Sequence, residues 1–567
     1  MKKILNLIFL LSLSQAFAQN NESVGQLSGN FQSDFQFYLR DSLIDPNGEA
    51  FPDERLLGSG FLNLNYRKGN FMAGMRYENY QNNRVGLPGS YQGEGITYRY
   101  ARFIKNGFDV TAGNFYEQFG SGIILRAFEE RGLGLDNNLD GLRMLYSPIE
   151  GLTLKAVIGR QRNYFEKSNS VVRGVDAEWN LKSTLGWEGY NNLIIGAGVV
   201  SKYQQVSDPN LNLPQNVASA AGRINFISEK FNVFGEFAYK ANDPSFDNSY
   251  IYKKGTALFV TSSYSDGNVG ATLSLKHYDN FSWRSEPSTD PQQLLIGFLP
   301  SATTLHTYSL PALYSYNTIL TGEQGYQAEL FYNFPRKTAM GGNYGMKVTL
   351  SFAQSTSLDK EYTPRTDDNG NEVLSGTDGY TTNIGLGEFN YFHDFHLQVQ
   401  KKISKKIKIT GTYYNFFFNN DALRKGVAGV PEFALIQSGQ SPKTFDINAA
   451  VVEVLWKIKP KHSLRTEFQT LITEGQDGTF GGDWGLILME YSIAPKWFVA
   501  VQDAYNFGNE IEDLRIHYYS ANVGYTHGTN KFQLGYGRQQ EGVFCVGGIC
   551  RVVPASNGFT FGITSNF

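Results

Sequence analysis

Apolar and polar residues alternate with a period of two in many short stretches of the sequence. The stretch Asn557 to Phe567 ends the chain and has small polar residues at every second position. Its other face carries the large apolar residues Phe559, Phe561, Ile563 and Phe567. Successive side chains of a β-strand point to opposite faces, so the stretch predicts a terminal strand with one apolar face.

The first long alternating stretch, Gln26 to Leu39, predicts a strand of the same kind. Its apolar positions are Leu27, Phe31, Phe35, Phe37 and Leu39. About ten to thirteen alternating residues are enough for a tilted strand to cross an apolar band of about 25 Å. The first and last strands therefore have the length and the two faces of transmembrane β-strands.

Short, turn-like connections alternate with long polar segments between these two strands. The short connections carry the Gly, Asn, Asp and Pro residues of tight hairpins and lie at 67–70, 105–107, 147–151, 228–230, 265–268, 404–406, 459–461, 494–496 and 526–530. The long segments are 41–56, 79–93, 120–140, 204–216, 279–324, 355–386 and 418–444. This alternation is typical of an up-and-down membrane barrel with short periplasmic turns and long extracellular loops.

Charged residues share the polar face of several predicted strands. Phe71 and Met75 alternate with Arg76 and Glu78, for example. In a barrel the charges would face a wet lumen and the aromatic residues would face lipid, whereas a soluble β-sandwich would bury the apolar face. Periodicity alone does not separate these two folds. The loop asymmetry, the N-terminal segment and the terminal Phe567 favour the barrel.

We therefore predict an all-β protein whose fold is a single up-and-down antiparallel transmembrane β-barrel. The number of alternating segments indicates about 24 strands, with a range of roughly 20 to 26. An even count would bring both termini to the periplasmic side.

The N-terminal segment has the features of a secretory signal peptide. Two lysines precede an apolar run over residues 4–13, and a small-residue site of the A-x-A type follows at 16–18. The run is too short to span a membrane as a helix. The sequence thus predicts a signal peptide at 1–18 and a barrel at 19–567, without room for a folded plug domain before the first strand.

Composition agrees with a membrane β-protein. The chain has 34 Tyr, 42 Phe and 60 Gly but only 2 Cys, and its hydrophobic content of 41% argues against Gly-rich disorder. Beyond the signal peptide it has no run of about 18 apolar residues, so we expect no transmembrane helix. The formal net charge of −3 excludes the basic excess of nucleic-acid-binding proteins.

The segment Gly113 to Arg143 is the strongest candidate for a functional loop. It combines Gly-rich bends with clustered charges: Arg126, Glu129, Glu130, Arg131, Asp136, Asp140 and Arg143. If the loop folds inward, opposed rows of charge would create a constriction with a transverse field. A surface loop held by its own ion pairs is the alternative. Arg160, Arg162 and Arg173 could extend a basic lumen patch or pair with nearby carboxylates.

Cys545 and Cys550 enclose a Gly-Gly pair. A two-residue turn there would place the two cysteines directly opposite each other on a hairpin, at a spacing that accepts a disulfide. An exported protein meets an oxidising compartment. We predict a structural disulfide on the last outer loop.

Sequence motifs for catalysis or metal binding are not evident. His393 and His396 form a local cluster, but three residues along a strand they face opposite sides and do not jointly bind a metal. No nucleophile-elbow, zinc-protease or phosphate-binding motif occurs. We expect no cofactor and no metal site. A barrel hydrolase stays open, because barrel enzymes draw their catalytic residues from separate strands.

The chain resembles an uncharacterised family of large exported proteins in Bacteroidota. The resemblance lies in the segments Gly113 to Gly120, Glu129 to Gly134 and Cys545 to Gly558. It covers essentially the whole chain after the signal peptide and implies an outer-membrane location. It supplies no catalytic or binding residues. The closing strand also resembles that of bacterial outer-membrane barrels, whose terminal aromatic residue is read by the membrane-insertion machinery.

The leading functional hypothesis is a porin-like or facilitated-diffusion channel for small polar solutes. A second is a non-conducting barrel that serves as a subunit or docking partner of an envelope secretion or assembly machine. A third is a barrel hydrolase, although we do not expect an enzyme. The expected partners are outer-membrane lipid, the insertion machinery through the strand ending at Phe567, and other envelope proteins, but not nucleic acid.

Overall fold

The computed structural model describes residues 25–567 except 50, 81–83, 85–86, 88, 206–210, 290–292, 426–432, 434–441, 476–480 and 547–548. The predicted signal peptide, residues 1–18, lies outside this part of the chain. Among the described residues, no helix has the length and apolar character needed to cross a membrane.

The described chain is mainly β-strand, and the two-residue strand Glu166–Lys167, which pairs with Arg162 and Asn163, adds to a closed antiparallel sheet of 24 strands. They are β1 Gln26–Tyr38, β2 Leu56–Lys68, β3 Phe71–Tyr80, β4 Gly93–Lys105, β5 Phe108–Phe115, β6 Leu139–Ile149, β7 Leu152–Asn163, β8 Val171–Asn180, β9 Asn192–Tyr203, β10 Asn216–Ile227, β11 Phe231–Lys240, β12 Gly255–Asp266, β13 Val269–Asp279, β14 Gly322–Phe334, β15 Met346–Tyr362, β16 Tyr380–Lys402, β17 Ile407–Asn419, β18 Thr444–Lys459, β19 His462–Glu474, β20 Trp484–Ile493, β21 Trp497–Asn506, β22 His517–His527, β23 Asn530–Gln539 and β24 Ser556–Asn566.

The sheet closes on itself because β1 pairs with both β2 and β24. Asn30 lies opposite Asn566, and their side chains share a hydrogen bond of 2.7 Å. The terminal Phe567 extends the pairing through two backbone hydrogen bonds with Gly29, at 2.7 and 3.0 Å. Closure leaves neither terminal strand with an unpaired edge. The predicted 24-strand up-and-down barrel is confirmed.

The two faces of the sheet are assigned as in a membrane barrel, with the apolar face outside. On β3, Phe71 and Met75 are exposed, whereas Arg76 and Glu78 are buried in the interior. The last strand likewise exposes Phe559 and Phe561 outward. This arrangement is the reverse of a soluble β-sandwich, and it excludes that alternative.

The connections agree largely with the sequence. All nine predicted short turns join neighbouring strands at one end of the barrel. Two further connections at that end, 181–191 and 335–345, are longer than a turn, and the first contains the helix Leu181–Leu185. The predicted long segment 355–386 is too long, because β15 and β16 continue beyond their neighbours and leave only 363–379 as the loop.

Short elements occur within the connections. The helical turns are Gly89–Tyr91, Arg131–Leu133, Phe246–Asn248, Pro311–Tyr314, Asp421–Lys425 and Glu512–Leu514. The short strands are Gln118–Phe119, Leu125–Arg126, Glu129–Glu130, Leu135–Asp136, Glu166–Lys167, Arg365–Thr366, Glu372–Val373, Gly542–Val546 and Ile549–Val553.

Two connections fold into the barrel instead of extending outward. We call residues 116–138 the first inward loop and residues 280–321 the second inward loop. Arg126 N donates to Ile296 O at 2.8 Å, and Phe298 N donates to Gly122 O at 2.9 Å. A Cβ at Gly297 would lie only 2.0 Å from Ile123 O. The two loops are therefore joined backbone to backbone.

The first inward loop packs against one half of the barrel wall through an apolar cluster. Ile123 and Ile124 are fully buried, and Trp283 of the second inward loop donates its indole N–H to Ile124 O at 3.0 Å. The wall strands β7 to β12 meet them with small or β-branched inward residues: Val157, Val172, Val200, Val217, Ala221, Ala238 and Ala257. Small wall residues leave the space that the loops occupy.

The second inward loop also packs against the opposite half of the wall. Its residues Tyr308, Leu310, Tyr314 and Tyr316 form a second apolar cluster with inward residues of β16 to β21. The wall residues of this cluster include Phe392, Phe416, Phe418, Phe445, Ile447, Ala449, Val451, Leu471, Trp484, Leu486 and Ala504. Buried Lys276 adds polar contacts, to Tyr316 Oη at 2.7 Å and to Glu323 Oε1 at 2.6 Å.

The predicted cysteine hairpin is present in the backbone. Gly542–Val546 pairs with Ile549–Val553 and places Cys545 opposite Cys550, which is the predicted register. The side chains of both cysteines and the intervening 547–548 lie outside the described residues. The disulfide stays a prediction.

A charge on the outward face of the closing strand tests the assignment of faces. Phe561 lies at the middle of β24 and faces outward. Neighbouring Thr560 points to the lumen because successive side chains of a strand alternate between its faces. We expect Phe561→Arg to lower the free energy of unfolding in lipid vesicles by about 2–4 kcal/mol, because an arginine near the bilayer midplane is poorly solvated. Thr560→Arg is the matched control, with little expected loss. Equal losses in urea titrations of the two variants would contradict the assignment.

Candidate functional site

Two short strand pairs shape the first inward loop. They are Gln118–Phe119 with Leu125–Arg126, and Glu129–Glu130 with Leu135–Asp136. The turn of the first pair needs a glycine. Gly122 has a φ of +99°, and a Cβ there would lie 3.1 Å from the Arg126 side chain. A larger residue at this turn would be strained by its backbone and by its neighbour.

Asp136 lies at the centre of a buried ion-pair network between this loop and the wall. Its Oδ2 accepts hydrogen bonds from Arg76 and, at 2.7 Å, from Arg162 Nη1. Arg162 Nη2 also donates to Glu78 Oε2 at 2.7 Å. These four side chains are each at most 5% exposed. Two arginines and two carboxylates balance, so burial leaves no net charge in this group.

The pKa values of Asp136 and Tyr116, two side chains of the first inward loop, are shifted in opposite directions. Burial alone would raise the pKa of Asp136, but the charges of Arg162 and Arg76 outweigh it and lower that pKa below its ordinary value. Burial and the nearby Asp136 charge raise the pKa of Tyr116, whose hydroxyl donates to Asp136 Oδ1 at 3.1 Å. Asp136 is thus ionised and Tyr116 neutral at physiological pH.

A second network lies closer to the short-turn end of β4 to β7. Arg143 donates to Glu117 Oε2 at 2.6 Å and to Asp109 Oδ2 at 3.0 Å. Arg102 binds Asp109 with two hydrogen bonds, at 2.7 and 2.6 Å. Lys155 binds Glu117 at 2.9 Å. Three cations against two carboxylates leave this network with one excess positive charge.

Arg131 connects the tip of the loop to β1. Its guanidinium binds Glu129 at 2.6 Å, donates to Gln32 Oε1 at 3.2 Å and lies 4.4 Å from the ring centre of Phe61. Glu130 accepts a hydrogen bond from Gly132 N at 3.1 Å and caps the helical turn Arg131–Leu133. Arg131 therefore faces the lumen, whereas Glu130 serves local structure.

A polar cavity of about 500 Å³ lies between the first inward loop and the wall strands β1 to β6. Residues of both networks and of the wall border it: Asn30, Asn63, Asn65, Met75, Arg76, Tyr98, Tyr100, Arg102, Thr111, Phe115, Tyr116, Glu129, Arg131 and Arg143. Four arginines and one glutamate are among them. Arg102 and Arg131 have side chains about one third exposed, so their charge is accessible from the cavity.

Arg126 has a different environment from the other loop arginines. Its guanidinium carbon lies 4.4 Å from the ring centre of Phe128 and 4.0 Å from that of Phe298. Burial lowers the pKa of Arg126. Within the described part of the chain, no carboxylate lies at ion-pair distance from this guanidinium. Arg126 thus joins the two inward loops through cation–π contacts.

Besides Arg126 and Glu130, three predicted site residues do not join the cavity. Asp140 shares the outward face of β6 with exposed Leu142, and its carboxylate pairs with Arg99 at 3.3 Å and with Lys167. Arg160 lies opposite Asp140 on β7 and is exposed. Arg173 is exposed on β8 and donates to Asn216 Oδ1 at 3.0 Å.

Of the predicted site residues, Glu129, Arg131, Asp136, Arg143 and Arg162 meet at or beside the cavity. The carboxylates of Asp176 and Glu178, considered as partners for the basic residues of β7 and β8, instead bind Arg223 of β10, at 2.6 and 3.2 Å. Sequence reasoning missed Arg102, Asp109 and Glu117. The only sequence signal for them was their alternation with apolar neighbours. Their ion-pair partners lie on other strands and leave no local pattern.

The carboxylates of Glu78, Glu129 and Asp136 converge closely enough to hold a metal ion. Arg76 binds all three, through Glu78 at 2.6 Å, Glu129 at 2.9 Å and Asp136. Arg162 binds two of them. Guanidinium groups already supply the positive charge that a cation would bring, so this cluster is an ion-pair network.

Comparisons with known proteins give one family and several distant structures. The model of a family of unknown function (DUF6029) matches residues 1–567. No curated protein sequence matches the chain.

The structure is similar to solved barrels from Pseudomonas aeruginosa. The siderophore receptor PirA aligns over 96% of this chain and 80% of its own, with 9% identity and a TM-score of 0.39. A mutant ferric enterobactin receptor (PfeA) in complex with enterobactin aligns over 96% and 81%, with 10% identity and a TM-score of 0.43. The outer membrane protein OpdK aligns over 69% and 93%, with 11% identity and a TM-score of 0.33. The fold assignment rests on the strand pairing described above.

Removing the charge of Asp136 tests whether the buried network holds the first inward loop. We expect Asp136→Asn to lower the free energy of unfolding by about 3–5 kcal/mol, because Arg76 and Arg162 would lose a buried counter-charge. Asp140→Asn is the matched control, since its partners Arg99 and Lys167 are about half exposed. We expect it to cost about 0–1 kcal/mol. Urea unfolding and hydrogen exchange of residues 116–138 measure both variants, and equal effects would contradict the network's role.

Proposed function

The chain belongs to a family of unknown function (DUF6029), and we propose that it forms an outer-membrane channel for small polar solutes that favours anions. The observation that carries this proposal is the unequal filling of the lumen. Apolar clusters occupy the space beside β7 to β12 and β16 to β21, whereas a polar cavity remains beside β1 to β6. Solutes would pass through the polar side.

An outer-membrane location is supported by the outward apolar face and by barrel closure. Closure satisfies the backbone hydrogen bonds that a bilayer cannot hydrate. We also propose, from the sequence, export by the signal peptide at 1–18, origin in Bacteroidota, and insertion directed by the strand that ends at Phe567. Lipid is then the immediate partner of the exposed aromatic side chains.

Solute selection would come from the arginines along the cavity. Arg102 and Arg131 are accessible there, and the network that includes Arg102 carries one excess positive charge. Their charge would attract anions and repel cations inside a narrow, partly desolvated passage. Tyr98 and Tyr100 add hydroxyl groups and aromatic faces at the same level, which suits small organic solutes with both polar and apolar parts. This mechanism requires no covalent chemistry.

A non-conducting barrel is the second candidate function. The second inward loop packs against both the first inward loop and the β16 to β21 wall. Protein therefore spans the interior from one side of the wall to the other. A filled interior suits a subunit or docking partner of an envelope machine. Recordings from single molecules in planar bilayers separate the two candidates, because only the channel gives discrete conductance steps.

Charge reversal at Arg131 tests anion selection. In asymmetric KCl, we expect wild-type protein to give a reversal potential on the anion-selective side, and Arg131→Glu to shift it toward cation selectivity. Arg160→Glu is the matched control, because this arginine is exposed on the outward face of β7 and lies outside the cavity. An unchanged reversal potential in Arg131→Glu would contradict the proposed path. Absence of conductance steps in wild-type protein would favour the non-conducting barrel.

A further inference from the structure

A second polar cluster lies in the other half of the lumen, where the second inward loop meets β16. It consists of His306 from the loop and of Asp394 and His396 from the strand. Asp394 and His396 are two residues apart and therefore point to the same face. One ligand atom of each residue lies within 4.8 Å of the other two. The structure thus brings His306 next to two side chains that lie far along the chain from it.

The cluster is removed from solvent. The side chains of His306, Asp394 and His396 are 5%, 1% and 8% exposed, respectively. The ring of His306 packs against Tyr414 and Phe416, with centroid distances of 5.1 and 4.9 Å. A charged carboxylate in such apolar surroundings requires a compensating positive charge.

Hydrogen bonding within the cluster is incomplete. His306 Nε2 and Asp394 Oδ2 are 3.0 Å apart but lack the alignment of a hydrogen bond, and both atoms are buried without a hydrogen-bond partner. The bond between His396 Nδ1 and Asp394 Oδ1 is long, at 3.3 Å. Buried polar atoms are seldom left unpaired in proteins. Two such atoms side by side indicate that a further group contacts both of them.

We propose that His306, Asp394 and His396 bind a divalent transition-metal ion that fastens the second inward loop to the barrel wall. Imidazole nitrogens and a carboxylate oxygen suit Zn²⁺ and its neighbours in the first transition row. Zinc lies about 2.0–2.2 Å from such ligands, which places neighbouring ligand atoms of a tetrahedral site about 3.4 Å apart. The separations of 3.0 Å from His306 Nε2 to Asp394 Oδ2 and 3.3 Å from His396 Nδ1 to Asp394 Oδ1 are close to that spacing, with one imidazole beside each oxygen of the carboxylate.

This site differs from the carboxylate cluster of the first inward loop in its source of positive charge. Glu78, Glu129 and Asp136 are bound by Arg76 and Arg162, whereas the described ion-pair partners of Asp394 are the two imidazoles. Neutral imidazoles would leave one negative charge for the metal to balance. Three protein ligands also leave a fourth position for water. The inference does not depend on the proposed channel function.

Zinc titration of the full-length protein tests the site directly. The protein is purified in detergent, stripped with a chelator, and titrated with Zn²⁺ by isothermal calorimetry. We expect one tight site per chain and a Zn²⁺-dependent rise in the thermal unfolding temperature, because an ion that binds the folded state stabilises it. Co²⁺ serves as a second probe, with a visible absorption band of four-coordinate geometry as the expected signature.

The variants His306→Ala and His396→Ala remove one ligand each. We expect either to weaken Zn²⁺ binding by more than about 100-fold, since even outer-shell partners of metal ligands contribute about 10- to 100-fold. His393→Ala is the matched control, because His393 lies on the same strand but contacts Asn415 and Phe417 on the other face. It is expected to bind Zn²⁺ as the wild type does.

The proposal is wrong if stripped wild-type protein binds no more Zn²⁺ than the His306 and His396 variants. It is equally wrong if His393→Ala loses as much affinity as they do, since binding would then come from dispersed histidines. Asp394→Asn covers the case in which the histidine variants fail to fold, because it keeps the volume of the side chain and removes its charge. Loss of the Co²⁺ band in this folded variant supports the site, and retention of the band overturns it.

Discussion

The structure depends on one constraint, which is that every strand must find hydrogen-bond partners on both sides. A bilayer offers no water to an unpaired backbone group, and pairing of β1 with β24 removes the last two edges. Closing 24 strands produces a wide interior. Barrels of about 16–18 strands already leave an aqueous channel, and those of about 22 strands are plugged. The two inward loops occupy much of this space in the described part of the chain.

The residue types that the wall presents to the lumen differ around the barrel, and they match the positions of the two inward loops. Strands β7 to β12 present alanine and valine to the lumen, and strands β16 to β21 present aromatic and aliphatic side chains. Strands β3 to β7 instead supply the wall residues of the two ion-pair networks, whose carboxylates Asp136 and Glu117 come from the first inward loop. Buried ion pairs recover their desolvation cost only when partners are close and well satisfied. The side chains around Asp136 are nearly all paired and meet that requirement. The excess positive charge belongs to the second network, which includes the partly exposed Arg102.

Much of the fold follows from the sequence, because a period of two and tight-turn residues are local signals. The terminal strand with Phe559 and Phe561, the first strand and nine short turns were all readable in this way. The candidate site was harder to predict from the sequence. A shift of one residue moves a side chain to the opposite face, and for this reason Arg143 faces the cavity while Asp140, three residues earlier on the same strand, does not. Contacts between distant segments left no local signal, as His306 shows by meeting β16.

We propose that water reaches the lumen beside β1 to β6 and is excluded from the packed half. Single cysteines introduced into a Cys545→Ser, Cys550→Ser background test it with a membrane-impermeant thiol reagent on protein in lipid vesicles. Asn63→Cys probes the cavity, and Val200→Cys probes the packed half. We predict rapid labelling at position 63 and protection at position 200. Protection at 63 together with rapid labelling at 200 would contradict it.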